Sequence, residues 1–354
     1  MIPDSVETLA HMAIVTVAAC LMILSGCSLV DENLAECGES LSVDYQLRLV
    51  TNIQTELETT LSLEADLKIA TELKEHFSSV FTDFAHDVDL SFYDSKGDMP
   101  VLEHMSRIMD ANQTSYTLFL PVREYMHTSV ANIAGNSSVT LEGAANCKSA
   151  KLVQHTGEDG KVIPHDTGLF TARTSMDVEE GISQSFQVSL YMANCATALI
   201  IDPADVAGVK DVRVELQGFA DSFDIADSTY HFDSDPRIKT NLLPLEKTGE
   251  YCFTSVNFPS QDYRPETKVV IETVDPFLSK HAPWTLWRWF VYVTMDDGTV
   301  TLSELGVSQP LRAGQLKVVK GTMRGKGEVF VKDPYVGVSV ILDWNQGHIY
   351  EPKL

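Results

Sequence analysis

From Leu41 onward the apolar residues recur with a period of two, and this more than anything else restricts the chain to sheets. Val43, Tyr45, Leu47 and Leu49 share one face of the stretch 41–50, and Asp44, Gln46 and Arg48 the other. Val88–Phe92 alternates again and stops at the turn Asp94-Ser-Lys-Gly97. Tyr116–Leu120 and Tyr125–Ile133 are two more strands, split by Pro121. Leu152–Pro164 holds a hairpin tip at Gly157-Glu-Asp-Gly160, and Phe186–Leu190 runs on toward Ala198-Leu-Ile-Ile201. Val212–Leu216, Lys268–Glu272 and Trp287–Thr294 read as strands, the last ending in Asp296-Asp-Gly298; the polar stretch Gly218–Arg237 reads as loop. Leu316–Lys320 is expected to pair with the residues just after Gly325-Lys-Gly327. In the closing stretch Val336–Trp344, the residues Val336, Val338, Val340, Leu342 and Trp344 fall on one face, which predicts a core strand. Only Ser62–Phe81 changes period: Leu67, Ala70, Leu73, Phe77 and Val80 recur every three or four residues, as in one amphipathic helix. Strands at this spacing, separated by turn signals, predict an all-β chain of β-sandwiches.

The N-terminus carries a different signal. Met12–Leu24 is apolar and uncharged, long enough for a signal-peptide core and too short to span a bilayer. It ends in Leu24-Ser25-Gly26-Cys27, which reads as a lipobox: the Cys27 thiol takes lipid and the chain is cut before it. The segment ahead of the run holds Asp4 and Glu7 but no Lys or Arg, so Met12 is a second candidate start. The expected organisation is a lipoprotein signal peptide (1–26), a lipidated acidic tether (27–40), an N-terminal sandwich (41–194) and a C-terminal sandwich (195–354). The boundary is set where the pattern restarts, near Asn194–Pro203.

Charge narrows the partners. Fifty acidic residues against 26 basic ones give a net charge of -24. Such a chain is repelled by nucleic acid and by anionic headgroups, so neither is an expected partner. Of six cysteines, Cys20 lies in the leader and Cys27 is the lipid site, leaving Cys37, Cys147, Cys195 and Cys252. In an exported chain these allow disulfides in three pairings, and Cys147–Cys195 is the bond expected.

No catalytic motif stands out, so an enzyme is not expected, nor a cofactor or a metal. G-x-S-x-G, S-x-x-K and H-E-x-x-H are all absent. Gly321-Thr-Met-Arg-Gly-Lys326 is one residue short of a phosphate loop and reads as a hairpin turn, with Lys317, Lys320, Arg324 and Lys326 making a basic patch. Trp284, Trp287 and Trp289 could form a sugar platform, but the alternation of Trp287, Trp289, Val291 and Val293 favours core packing. Asp94–Asp98 and Asp296–Asp297 lack the acid spacing of an EF-hand loop, and His86 beside Asp87 and Asp89 is expected to be solvated.

An ordered set of segments carries a family resemblance. Cys27 is followed by Cys37 and a strand, then by Phe84-Ala-His-Asp-Val-Asp-Leu-Ser-Phe-Tyr-Asp94, Leu118-Phe-Leu-Pro121 and Asp166-Thr-Gly-Leu-Phe170. Further on come Asn194-Cys-Ala-Thr-Ala-Leu-Ile-Ile-Asp202, Pro310-Leu-Arg-Ala-Gly-Gln-Leu-Lys317 and Val336-Gly-Val-Ser-Val-Ile-Leu-Asp-Trp344. In this order the chain resembles the FimB-type fimbrial anchor lipoproteins of type V pili. The resemblance implies two tandem transthyretin-like (fimbrillin-type) β-sandwich domains, and an outward-facing outer-membrane lipoprotein at the base of a fimbrium. Asp31 and Glu32 resemble the surface-export signal of such lipoproteins. The implied partners are stalk subunits, through β-strand exchange, and the outer membrane, through the lipid. Stalk subunits lose their first strand to an Arg-specific protease, whereas anchors keep theirs; here the expectation is that Arg48 is not cut. A surface adhesin or glycan-binding lipoprotein of the same fold is the alternative.

Overall fold

A computed structural model of the protein describes residues 40–50, 67–81, 86–108, 115–180, 182–245, 249–262 and 285–343. The leader with Leu24, Ser25 and Gly26, the lipid site Cys27, the tether to residue 39, Cys37, Lys268–Glu272, Trp284 and Trp344 lie outside these residues. The first half holds β1 (Ser40–Val50), the helix α1 (Leu67–Val80), β2 (Asp87–Asp94), β3 (Val101–Ile108), β4 (Ser115–Pro121) and β5 (Arg123–Ala131). It continues with β6 (Val139–Glu142), β7 (Lys151–Gln154), β8 (Phe170–Val178) and β9 (Gln184–Met192).

These strands form one seven-stranded sheet in the order β3-β2-β5-β8-β9-β1-β4, and β6 and β7 stand apart. The sheet is folded over into a sandwich. β8 and β9 share only two pairs, Phe170↔Met192 and Thr171↔Tyr191. Tyr45 on β1 reaches across to bond His127 on β5, three strands away along the sheet. One layer is therefore β3-β2-β5-β8 and the other β9-β1-β4. Pro121 marks a corner: it has no N–H to continue the ladder, and β4 and β5, separated only by Val122, lie in different layers. Between the layers lie Val43, Tyr45 and Leu47, Val88, Leu90 and Phe92, and Leu118 and Leu120, all buried. Alternation in the sequence thus translates directly into burial.

The second half begins with β10 (Cys195–Asp202) and β11 (Val209–Gln217), followed by the short strands β12 (Ser222–Asp224), β13 (Thr229–His231), β14 (Ile238–Lys239) and β15 (Asn241–Leu243). Then come β16 (Tyr251–Asn257), β17 (Trp287–Met295), β18 (Val300–Val307), β19 (Leu316–Arg324), β20 (Glu328–Val331) and β21 (Val336–Asp343). Two five-stranded sheets result, β15-β16-β10-β19-β20 and β14-β11-β17-β18-β21. They enclose a core containing Trp287, Trp289, Leu199, Ile201, Val319 and Leu305. The fold is all-β, with sandwiches in tandem and, among the described residues, one α-helix.

Strand β10 has no free face. Leu199 and Ile201 belong to the second core, whereas Ala196, Ala198 and Ile200 belong to the first, together with Ile69, Leu73 and Phe77 of α1. His76 of α1 also lies 3.1 Å from the Thr254 hydroxyl on β16. The unbroken apolar run Ala198–Ile201 is what a strand buried on both faces requires.

Some expectations change. Gly218–Arg237 is not simply loop: β12 and β13 join β7 and β6 in a four-stranded sheet ordered β13-β12-β7-β6, which draws on both halves. Strands of three residues are too short to show a period. β21 is not the core strand that its alternation predicts. Among the described residues it is the edge of its sheet; Val336 is buried, but Val338 and Ile341 are each 36% exposed. An alternating pattern fixes which residues share a face, and not what covers it.

Candidate strand-exchange surface

Strand exchange needs either a removable strand or an open edge, so the relevant geometry is that of β1 and β21. β1 is paired on both sides from Val43 to Gln46, and at Arg48 on the β9 side alone. It runs antiparallel to β4 from Ser40↔Pro121 to Gln46↔Ser115, and parallel to β9 from Val43↔Gln184 to Val50↔Tyr191. Removing it would strip a central strand from its layer and open a groove lined by the freed edges of β4 and β9. Arg48 is exposed on the outer face, opposite Ser189. β21 is the reverse case: it is paired with β18 along its whole length, Val336↔Val307 to Asp343↔Val300, and has no described neighbour on its other side.

Two polar networks look catalytic and are structural. In the first sandwich His127 Nδ1 donates to the Ser91 carbonyl (2.9 Å), and its Nε2 meets the Tyr45 hydroxyl (2.5 Å) and Ser129 Oγ (2.8 Å). The Ser–His contact has the spacing of a nucleophile and its base. All three side chains are sealed from solvent, and burial pulls the His127 pKa down to about 4, so the imidazole is neutral. The second network joins Ser91 Oγ to His104 Nδ1 (3.1 Å) and His104 Nε2 to Asp89 (3.3 Å), with Ser106 donating to the same carboxylate. Burial raises the Asp89 pKa, and the nearby His104 opposes it. Ser91 is only 2% exposed, so no substrate reaches its hydroxyl.

The other candidates resolve into packing. Trp287 and Trp289 are fully buried, their ring centres 6.0 Å apart, and the Trp287 indole N–H donates to the Gln309 carbonyl. They are no sugar platform. The segment around Gly325 and Gly327 is the turn joining β19 to β20, with Arg324 paired to Glu328. A Cβ on Gly327 would lie 2.6 Å from Val293, so glycine is needed there to let the turn pack on β17. Within the basic patch, Lys317 is bonded to Asp333 at 2.6 Å and Arg324 lies over Phe330. Asp94 and Asp297 accept from the backbone N–H groups of Lys96 and Thr299, capping their own turns. The backbone N–H of His86 is held by Asn132. Among the described residues no three His, Cys, Asp or Glu side chains are grouped so as to hold a metal.

The expected Cys147–Cys195 disulfide is not formed. Cys147, Cys195 and Cys252 are all free and buried. Cys195 sits in β10, its thiol directed at the Phe258 carbonyl 3.5 Å away, while Cys147 lies in a short 3-10 turn (Cys147–Ser149). Burial raises the pKa of all three thiols, that of Cys252 to about 12, so they behave as small apolar side chains. Sequence counting misses this because it cannot see which face of a strand a thiol occupies.

No protein-family profile and no curated protein sequence matches this chain. Solved structures do. A candidate adhesin from Bacteroides ovatus superposes with a TM-score of 0.52 at 10% identity, covering 85% of this chain and 96% of its own. A second candidate adhesin, from Bacteroides ovatus ATCC 8483, gives a TM-score of 0.51 at 12% identity, covering 87% and 97%. The fimbrial anchor protein Mfa2 from Porphyromonas gingivalis gives 0.44 at 7% identity, covering 86% and 98%. At such identities the shared property is the fold, and the chain has the all-β, tandem-sandwich fold of the two adhesin structures.

Proposed function

We propose that this protein is a lipid-anchored outer-membrane subunit at the base of a fimbrium, attaching the filament to the cell surface and influencing its assembly or length. The observation that carries this reading is the placement of β1. A strand paired along both edges from Val43 to Gln46 and along β9 as far as Val50, with Val43, Tyr45 and Leu47 buried beneath it, resists the local unfolding that a protease cut at Arg48 demands. Residues 27–50 are then retained, and with them the lipid on Cys27. Two or more acyl chains, each contributing about 0.8 kcal/mol per buried CH₂, hold a protein stably where one chain does not. Among the described residues β21 has no neighbour on its outer side, and such an edge offers a stalk subunit a row of backbone groups to pair with. The protein acts without cofactor and is not an enzyme.

The likeness to candidate adhesins supports a cell-surface role and keeps a second reading in view: a surface adhesin or glycan-binding lipoprotein. Mass spectrometry of membrane-extracted protein should find acylated Cys27 at the N-terminus, and Cys27→Ser should block processing. Deleting the gene should release fimbriae into the medium or change their length without stopping polymerisation. Protein recovered from fimbriae with Leu49 as its first residue would make this a stalk subunit. Unaltered fimbriae after deletion, with lost adherence to a glycan-coated surface, would favour the adhesin.

A further inference from the structure

Among the described residues five buried side-chain nitrogen or oxygen atoms have no hydrogen-bond partner, and three of them are guanidinium nitrogens: Arg237 Nη1, Arg288 Nε and Arg213 Nε, the last of which still lies 3.5 Å from the Glu215 carboxylate. All three arginines belong to the outer face of one sheet. Register places them there: Arg213 pairs with Tyr292, Glu215 with Phe290 and Gln217 with Arg288, while Lys239 and Ile238 pair with Glu215 and Leu216, setting Arg237 beside Gln217. The Arg237 guanidinium carbon lies 3.1 Å from the Phe290 ring centre and that of Arg288 6.0 Å from it, and Arg213 stands 4.5 Å over Tyr292.

The acids on this face are already engaged. Glu304 accepts from Arg288 Nη1 at 2.8 Å. Glu215 accepts from Lys161 at 2.6 Å and lies 3.5 Å from Arg213. Asp235 accepts from the Gly218 N–H, and Lys239 is drawn off to Asp159 at 3.0 Å. Four cations, Lys161, Arg213, Arg237 and Arg288, thus stand among three carboxylates, Glu215, Glu304 and Asp235, in a protein whose net charge is -24. Burial lowers the Arg237 pKa and the neighbouring Arg288 adds to it. Buried N–H groups left without partners on a positively charged patch call for an anion, because each is costly unpaired and strong when bonded to a carboxylate.

We propose that this face carries a carboxylate-binding site, centred on Arg237 and Arg288, that takes an Asp or Glu side chain from an acidic segment of a partner protein. The site is independent of lipid anchoring.

The test uses the protein without its leader and a capped five-glutamate peptide, followed by calorimetry at low and high salt and by thermal melting. The peptide should bind, weaken with salt, and raise the melting temperature of the wild type. Arg237→Gln and Arg288→Gln should each weaken binding at least tenfold, while Lys320→Gln, on the separate basic patch, should leave it unchanged. If the arginine variants do not fold, the wild-type melting shift alone decides. No binding and no shift, binding indifferent to both arginines, or binding of a uronate oligosaccharide in preference to the peptide would each overturn the proposal.

Discussion

His127 shows what one buried side chain can impose. Its Nδ1 donates to Ser91 and its Nε2 is occupied by Tyr45 and Ser129, so the fully bonded imidazole stays neutral. Burial lowers its pKa from 6.5 to about 4, and that of His165, bonded by Gln154 and Asn194, to about 3. The folded state therefore binds these protons more weakly than the unfolded chain. Their contribution is fully present above pH 6.5, declines as pH falls from there, and is gone below pH 4 and 3 respectively. For His127 the full difference is roughly 3 kcal/mol. The urea midpoint should drop between pH 7 and pH 4.5, and His127→Gln should reduce that drop; equal drops in both proteins would remove His127 as a cause. At the same scale, Trp287→Ala should cost about 3–5 kcal/mol, read as a lower midpoint, because the indole fills the second core and has no route to solvent.

Among the elements, the apolar strands β10 and β21 come to opposite ends. β10 is buried on both faces, so Leu199→Ala should cost about 2–5 kcal/mol. β21 lies at an edge, and Val338→Ala there should cost less than about 1 kcal/mol, since the side chain is already 36% exposed. Denaturation midpoints of the two variants give the ranking, and a Val338→Ala loss matching that of Leu199→Ala would mean that β21 is covered. The helix follows the same logic. Its apolar stripe, Ile69, Leu73 and Phe77, is legible from spacing, but its role as packing for the β10 sheet is not.

At the scale of the molecule, the two halves share structure across Asn194. The Asn194 side chain donates to Thr167 and accepts from Leu169, its carbonyl accepts from Gly314, and the Tyr230 hydroxyl bonds Ala193. The sheet holding β10 gives one face to each core. The intact protein should therefore melt in a single calorimetric transition, and residues 195–354 alone should be aggregation-prone, exposing Ala196, Ala198 and Ile200. Two well-separated transitions would show that the halves fold independently. The sequence by itself determined the all-β class, the helix ending near Phe81, the break between strands at Pro121, the glycine hairpin after Arg324 and the burial of Trp287 and Trp289. Each follows from a local rule: side-chain period, a missing N–H, a positive φ, or the size of an apolar ring. Only the tertiary structure decided that Cys147 and Cys195 stay apart, that β12 and β13 join strands from the first half, that β21 is an edge, and that arginines from β11, β17 and the start of β14 converge on one face. Those outcomes depend on which strands become neighbours and on what covers each face, and long-range pairing of that kind leaves no period in the chain.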